Sequence, residues 1–223
     1  MNLKQLAAEK AVTFIENDMV VGLGTGSTAY WAIERIGELV KQKELRVRAI
    51  ATSTRSESQA RSLGIPILGF SAIDQIDITI DGADEADGNL NLIKGGGGAL
   101  LREKIVAANS RQLIIVADES KLVSTLGKFS LPVEAVVFGW EKVFQKLQAL
   151  GCHPNLRFEN DKPYITDNSN YIIDCAFGEI PDPGELHEKI NAIVGVVENG
   201  LFVNLASKLI AGCQNGEVKI LLP

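Results

Sequence analysis

The sequence predicts an α/β fold, in which a parallel β-sheet with helices on its faces is accompanied by a smaller α+β domain. In the first half of the chain, short apolar segments alternate with segments whose apolar residues recur every three or four positions, as strands alternate with helices. From about Lys128 the element order becomes β-α-β-β-α-β, which is typical of a ferredoxin-like domain. We therefore predict a larger domain of residues 1–127 plus 204–223 and a smaller one of residues 128–203.

The elements of the larger domain follow from apolar periodicity and from turn residues. The predicted helices are 3–15, 29–40, 56–63 and one that begins near Gly98, and the predicted strands are 19–23, 47–51, 65–68, 76–80 and 113–116. Parallel strands of such a sheet end at one edge, where ligands bind. The loops that follow the strands are therefore candidate ligand-binding loops.

The elements of the smaller domain are separated by proline-containing turns. The predicted strands are 131–138, 156–158, 171–177 and 200–203, and the predicted helices are 140–150 and 184–194. This order places one helix after the first strand and one after the third.

The charge and composition exclude several classes of protein. A net charge of -6 repels polyanions, so we expect no nucleic-acid partner. No apolar run approaches the ~20 residues that span a bilayer, and no segment has the pattern of a signal peptide. We therefore expect a cytoplasmic protein without a membrane partner.

Cysteine and histidine are too few and too scattered to suggest a disulfide framework or a zinc site. Cys152, Cys175 and Cys213 are far apart and odd in number, so reduced thiols are expected. His153 and His187 lack the additional ligands of a tetrahedral zinc site. We predict no metal site.

A glycine-rich loop, Gly24–Thr28, follows the first predicted strand and precedes a helix. Glycines let backbone amides approach a phosphate, and the helix presents its positive end to it, while Ser27 and Thr28 add hydroxyl donors. The loop lacks the third glycine of the dinucleotide fingerprint and the Gly-Lys-Ser/Thr of a P-loop. A tight turn capped by Ser27, with no ligand, explains the loop equally well.

Four acidic residues lie within the segment Asp81–Asp87, directly after a predicted strand. Their mutual repulsion is costly unless they bind cations or transfer protons. The spacing is not that of an EF-hand. A solvated acidic turn, a calcium or magnesium loop and a catalytic loop remain open.

Four consecutive glycines, Gly95–Gly98, follow Lys94. Each costs a helix roughly 1 kcal/mol relative to Ala, so the expected benefit is exposed backbone amides, which with Lys94 form a candidate oxyanion site. Glu103 is expected in the second turn of the following helix, projecting back toward the glycines as a candidate base. A surface glutamate paired with a neighbour is the alternative.

Four segments carry a resemblance to a known family. GLGTGST at 22–28, DGADEAD at 81–87, KGGGGALLREK at 94–104 and ADESK at 117–121 resemble, in order and interval, the type A ribose-5-phosphate isomerases. The resemblance covers the whole chain. It implies a Rossmann-like larger domain, a ferredoxin-like smaller domain, a homodimer or homotetramer, and catalysis with no metal or organic cofactor.

The resemblance also implies the residues of the site. Glu103 matches the catalytic base, and Asp81, Asp84 and Lys94 match the polar catalytic groups. The implied substrate-binding residues are Thr25, Gly26, Ser27, Thr28, Asp81, Gly82, Ala83, Asp84, Lys94, Gly95, Gly96, Gly97 and Lys121. Lys4 matches a further phosphate-contacting lysine, whereas the segment Thr52–Ser56 differs from the family's serine-rich stretch.

The implied activity is the interconversion of D-ribose 5-phosphate and D-ribulose 5-phosphate through an enediolate, in the non-oxidative pentose phosphate pathway. Glu103 moves the carbon-bound proton, Lys94 and the glycine amides stabilise the enediolate, and Asp81 or Asp84 moves the hydroxyl protons. A sugar-phosphate deaminase, an acyl-CoA transferase and a non-catalytic phosphosugar sensor remain alternatives, because a fold does not fix a reaction.

Overall fold

A computed structural model describes residues 2–223, which form two compact units. The first unit contains the residues up to Ala83, Arg102–Leu122 and Leu205–Pro223. The second contains Asp84–Leu101 and Val123–Asn204. Residues 84–101 therefore belong to the second unit, whereas the predicted boundaries assign them to the larger domain.

The described residues contain six α-helices and fifteen short strands. The helices are α1 (Leu3–Val12), α2 (Ala29–Lys41), α3 (Thr54–Ser62), α4 (Leu100–Ala108), α5 (Trp140–Ala149) and α6 (Pro183–Asn191). The strands are β1 (Val20–Leu23), β2 (Arg48–Ala51), β3 (Ile76–Gly82), β4 (Glu85–Ala86), β5 (Leu92–Ile93), β6 (Ser110–Asp118), β7 (Leu131–Ala135), β8 (His153–Leu156), β9 (Phe158–Glu159), β10 (Lys162–Pro163), β11 (Tyr171–Ala176), β12 (Val196–Asn199), β13 (Leu201–Phe202), β14 (Lys208–Gly212) and β15 (Val218–Leu221). None of these helices is long and apolar enough to cross a membrane.

The first unit is built on a six-stranded sheet with the strand order β15-β14-β6-β3-β1-β2. The neighbours are parallel, except that β15 runs antiparallel to β14. All four residues of β1 are buried, because a parallel sheet is covered on both faces and its strands are continuously apolar. The predicted α/β class is confirmed. Parallel pairing brings the loops after β1, β3 and β6 to one edge.

Two apolar clusters hold the helices of the first unit to this sheet, and the larger of them contains α1 and α2. Ala7 and Ala11 of α1 and Ile33 and Ile36 of α2 are buried together with strand residues such as Ile80. Small residues on α1 let its backbone lie close to the strands. Gly212 of β14 serves the same purpose, because a Cβ there would lie 2.1 Å from the carbonyl oxygen of Leu3.

The strand predicted at residues 65–68 is wrong. The structure has only an isolated parallel bridge between Ile67 and Ala49 of β2. Ala49 N–H donates to the carbonyl of Pro66, and Leu68 N–H donates to the carbonyl of Ala49. Pro66 has no N–H, so this segment cannot continue a ladder and forms a short irregular edge instead.

The second unit contains an antiparallel sheet with the strand order β12-β7-β11-β8. With α5 after β7 and α6 after β11, the chain follows the predicted β-α-β-β-α-β order. Val133 and Ile173 of the sheet, Leu147 of α5 and Ile190 of α6 are fully buried in one core. All five residues of β7, a central strand of this sheet, are buried.

The last strand of this motif was predicted at residues 200–203, which is wrong. Residues Val196–Asn199 complete the four-stranded sheet by pairing with β7. The following residues, Leu201–Phe202, pair with β5 in a separate three-stranded sheet of β13, β5 and β4. Gly200 separates the two strands, and a Cβ there would lie 2.2 Å from the carbonyl oxygen of Lys94.

Candidate active site

The glycine-rich loop of the first unit is built around the carboxylate of Asp81. Thr25 N–H donates to Asp81 Oδ1 at 3.0 Å, and Gly82 N–H donates to the same oxygen at 2.7 Å. A Cβ on Gly24 would lie 2.2 Å from that oxygen and 2.5 Å from Asp81 Cα, so only glycine permits this approach. Gly26 has φ +116°, a conformation that side chains disfavour. The loop and the acidic segment are therefore one structure.

A buried cluster of hydroxyl groups holds the same loop from its other side. Thr25 Oγ1 lies 2.7 Å from Thr52 Oγ1, 2.7 Å from Ser53 Oγ and 3.1 Å from Ser56 Oγ. Ser56 Oγ donates to the carbonyl of Gly24 at 2.7 Å. Sequence reasoning gave Thr52–Ser56 no role, and its local hydroxyl content is the signal that could have indicated one.

The helix that follows the loop is not capped by Ser27, so the predicted cap is wrong. The N-cap residue of α2 is Thr28, and its side chain makes no capping hydrogen bond. Ser27 Oγ instead accepts a hydrogen bond of 2.9 Å from Lys4 Nζ, which brings a cation to the loop. A cavity of about 390 Å³ adjoins Gly26 and Ser27, bordered by residues of α2 and α3.

The acidic segment is not a solvated turn, because its carboxylates accept hydrogen bonds from backbone amides. In the second unit, Glu85 is buried and accepts from the amides of Gly127 and Phe129 at 2.8 and 2.6 Å. Asp87 Oδ1 accepts from the amides of residues 89 and 91. Hydrogen bonds to the charged form offset the cost of placing the acids close together. Among residues 2–223, no three His, Cys, Asp or Glu side chains group as a metal site.

The glycine run of the second unit forms a turn with backbone conformations that glycine adopts readily. Gly95 and Gly98 have φ values of +103° and +76°, and Gly98 N–H donates to the carbonyl of Gly95. Gly96 N–H donates to Asp84 Oδ2 at 2.7 Å, and a Cβ on Gly96 would lie 2.6 Å from Asp84 Oδ1. Lys94 is 2% exposed, with Nζ 5.3 Å from the ring centroid of Phe202. A buried lysine side chain thus precedes a turn in which one amide, that of Gly96, binds a carboxylate.

Glu103 is a buried residue of α4, so it is not a solvated surface glutamate. Its exposed fraction is 4%, and it lies in the first turn of the helix. The prediction placed it in the second turn, which is wrong because Gly98 adopts a left-handed conformation and the helix begins only at Leu100. A side chain in a first turn projects toward the helix N-terminus.

Lys121 ends a short 3-10 helix, Glu119–Lys121, directly after β6 in the first unit. Asp118 caps this turn by accepting from the amide of Ser120. Within the first unit the structure joins Thr25 to Asp81 and Lys4 to Ser27. Within the second unit it joins Asp84 to Gly96. Gly82 and Ala83 lie between the two aspartates in the chain.

The fold and these loops define the class of protein. A parallel sheet with a glycine-rich loop after β1 and a buried aspartate at the end of β3, accompanied by a ferredoxin-like unit, identifies a Rossmann-like α/β enzyme. The chain belongs to the ribose 5-phosphate isomerase A (phosphoriboisomerase A) family, whose sequence profile matches residues 48–216.

Known proteins resemble this chain over its full length. A ribose-5-phosphate isomerase A of Bacillus cereus is 56% identical over 97% of this chain and 98% of its own. The structure of ribose 5-phosphate isomerase from Plasmodium falciparum superimposes with a TM-score of 0.96 at 44% identity, covering 99% and 97% of the two chains. A D-ribose-5-phosphate isomerase in complex with phospho-erythronic acid has a TM-score of 0.96 at 41% identity, with both chains fully covered.

Proposed function

We propose that this protein interconverts D-ribose 5-phosphate and D-ribulose 5-phosphate, as an aldose-ketose isomerase of the non-oxidative pentose phosphate pathway. The observation that carries this proposal is the match to ribose-5-phosphate isomerase A along nearly the whole chain. The groups that this reaction needs are supplied by the buried carboxylate of Glu103, the loop bound to Asp81 and the glycine turn bound to Asp84.

Glu103 is the proposed base. In the direction of ketose formation, it takes the proton from C2 of the open-chain aldose, and the electron pair forms the C1–C2 double bond of an enediolate. The same carboxyl group returns the proton to C1, so no external acid, base or oxidant is consumed. A buried carboxylate suits this task, because burial of the side chain limits competition from water.

Lys94 and the amides of Gly95 and Gly97 are the proposed donors to the enediolate oxygens, and the amide of Gly96 holds the carboxylate of Asp84. Preorganised donors of this kind stabilise charge that develops in the transition state. The hydrogen bond from Gly96 N–H to Asp84 supports the idea, since this turn already binds a carboxylate. Asp81 or Asp84 transfers the hydroxyl protons and assists ring opening. Gly82 and Ala83 contact the sugar.

The phosphate of the substrate is proposed to bind at Thr25–Thr28, with Lys4 and Lys121 supplying positive charge. Both the N–H and the hydroxyl of Thr25 make hydrogen bonds within the unit, so Thr25 fixes the shape of the loop. The amides that follow meet the phosphate at the start of α2. Phospho-erythronic acid, bound by a relative, has a phosphate at one end and a carboxylate that resembles an enediolate at the other.

We also propose that the enzyme works without a metal or organic cofactor, acts in the cytoplasm, and forms a homodimer or homotetramer. Carboxylate, ammonium and amide groups suffice for the chemistry above. Light scattering at several concentrations measures the oligomeric state. Isomerisation in excess chelator tests for a metal, and activity lost on chelation would contradict the metal-free scheme.

The decisive experiment is to follow ketose formation from ribose 5-phosphate with the wild type and with Glu103→Gln. We expect kcat to fall by about 10²–10⁴-fold, because general base catalysis contributes that much, while KM stays within about threefold. Glu159→Gln, at an exposed glutamate, is the matched control. Near-normal turnover of Glu103→Gln would remove Glu103 from its role. A wild type that binds sugar phosphates without converting them would indicate a sensor, and ammonia release from an amino-sugar phosphate would indicate a deaminase.

A further inference from the structure

Arg157 of the second unit binds carbonyl groups of the glycine turn, whereas Asp84 binds one of its amides. Its Nη1 donates to the carbonyl oxygens of Gly95 and Gly96 at 3.0 and 3.2 Å. Its Nε and Nη2 donate to the two carboxylate oxygens of Asp174 at 2.8 and 2.5 Å. The side chains of Arg157 and Asp174 are only 15% and 25% exposed. The bidentate contact with Asp174 therefore holds the guanidinium in one orientation.

The carbonyls that Arg157 binds determine where the amides of the turn point. In a trans peptide the C=O and N–H bonds are antiparallel across one rigid plane. The carbonyl of Gly95 shares its plane with Gly96 N–H, and the carbonyl of Gly96 shares its plane with Gly97 N–H. Pulling both carbonyls toward Arg157 therefore points both N–H groups away from it. Gly96 N–H obeys this rule, because it reaches Asp84 at 2.7 Å.

The glycines of the turn make it necessary to restrain these peptide planes. Peptide planes flanked by glycines rotate more freely than others, because glycine lacks the Cβ that limits φ and ψ. A second contact also fixes the turn, since Tyr164 lies against Gly98 and its hydroxyl donates to the carbonyl of Gly97 at 3.4 Å. The guanidinium of Arg157 lies 5.8 Å from the ring of Tyr164. The guanidinium of Arg157 is nevertheless the group that hydrogen-bonds to two successive peptide planes.

We infer that Arg157, oriented by Asp174, is a positioning residue that keeps the amide of Gly96 on Asp84 and aims the amide of Gly97 at the enediolate oxygen of the substrate. This inference rests on the proposed function, because it assigns the amide of Gly97 to the enediolate. Arg157 acts only through the peptide planes and does not touch the substrate. Lysine cannot replace it, because one ammonium cannot reproduce the planar fork that meets two carbonyls and a carboxylate together.

The test compares Arg157→Lys and Arg157→Met with the wild type. Loss of a single oxyanion donor lowers kcat by about 10²–10³-fold, and misaimed donors lose part of that. We expect kcat to fall on the order of 10-fold in Arg157→Lys and 10- to 100-fold in Arg157→Met. KM for ribose 5-phosphate should stay within about threefold, because the phosphate contacts are intact. Arg46→Lys and Arg46→Met, at an exposed arginine paired with Asp18, are the matched controls and should leave kcat unchanged.

Binding measurements separate positioning from general damage. The Kd for phospho-erythronic acid should rise by the same factor as kcat falls, whereas the Kd for inorganic phosphate should not change. Equal loss of affinity for both ligands, or an unchanged kcat in a folded variant, would overturn the inference. Should Arg157→Met fail to fold, Arg157→Lys decides alone, because it keeps a cation beside Asp174.

Amide hydrogen exchange gives a readout that does not depend on turnover. We expect the protection of Gly96 N–H to fall at least about tenfold in Arg157→Lys and to stay constant in Arg46→Lys, since a loss of 1.4 kcal/mol is a factor of ten. Unchanged protection would overturn the inference. A wild type that forms no ribulose 5-phosphate would instead contradict the proposed function, and the exchange measurement would still decide whether Arg157 aims these amides.

Discussion

The buried carboxylate of Glu85 allows a quantitative test of why the acidic segment exists. Each of its oxygens accepts one backbone N–H, from Gly127 at 2.8 Å and from Phe129 at 2.6 Å. Glu85→Gln keeps the shape of the side chain, but an NH2 group replaces one of the two acceptor oxygens. That NH2 group then faces a backbone N–H, so two donors face each other. A buried N–H without an acceptor costs about 1–3 kcal/mol, and the other bond loses about 1 kcal/mol with the charge. We therefore expect the free energy of unfolding to fall by about 2–4 kcal/mol.

Urea unfolding measures this loss, with Glu159→Gln as the control at an exposed glutamate. Hydrogen exchange should localise the change to the amides of Gly127 and Phe129. Turnover of the folded variant should stay within about twofold, because Glu85 serves the fold and not the reaction. A loss of stability below about 0.5 kcal/mol, or a large drop in kcat at unchanged stability, would refute the structural role of this carboxylate.

Three further outcomes follow from the structure. Thr25→Val removes the hydroxyl that joins three others, so the free energy of unfolding in urea should fall by about 1–3 kcal/mol, and an unchanged value would contradict the buried network. Lys4→Met should raise KM for ribose 5-phosphate about 3- to 10-fold at constant kcat, because one phosphate charge contact is lost, and an unchanged KM would remove Lys4 from the phosphate site. A thiol reagent should modify Cys213 first in the folded protein, because Cys152 and Cys175 are buried. The neighbouring thiol of Cys152 and burial raise the pKa of Cys175, so fast labelling of Cys175 at neutral pH would contradict the structure.

Most of the fold could be predicted because it depends on local periodicity. The strands β1, β3 and β6 and the helices α1 and α2 each carry apolar residues at the spacing of their element. The two wrong strands lie where pairing is decided by other parts of the chain. Pro66 limits its segment to a single bridge, and Gly200 divides a continuous apolar stretch between two sheets.

The candidate site was harder to predict, because its supporting contacts are distant in sequence. Motif spacing identified Asp81, Asp84 and the glycine run as chemically unusual. It did not reveal that each aspartate is bound by an amide of a glycine-rich loop. Arg157 carries no local signal at all, since a single arginine near a strand is usually solvated and its two carbonyl partners lie about sixty residues earlier.

The division of the chain has a consequence for its synthesis. The polypeptide leaves the first unit after residue 83, returns at 102, leaves again after 122 and returns at 205. Strand β14, which lies between β6 and β15, is therefore translated only after the entire long excursion of residues 123–204. Ribosomes add about 5–20 residues per second, so one edge of β6 stays unpaired for on the order of 10 s before β14 is synthesised. An exposed edge of this kind recruits other chains, so nascent copies should depend on chaperones during that interval.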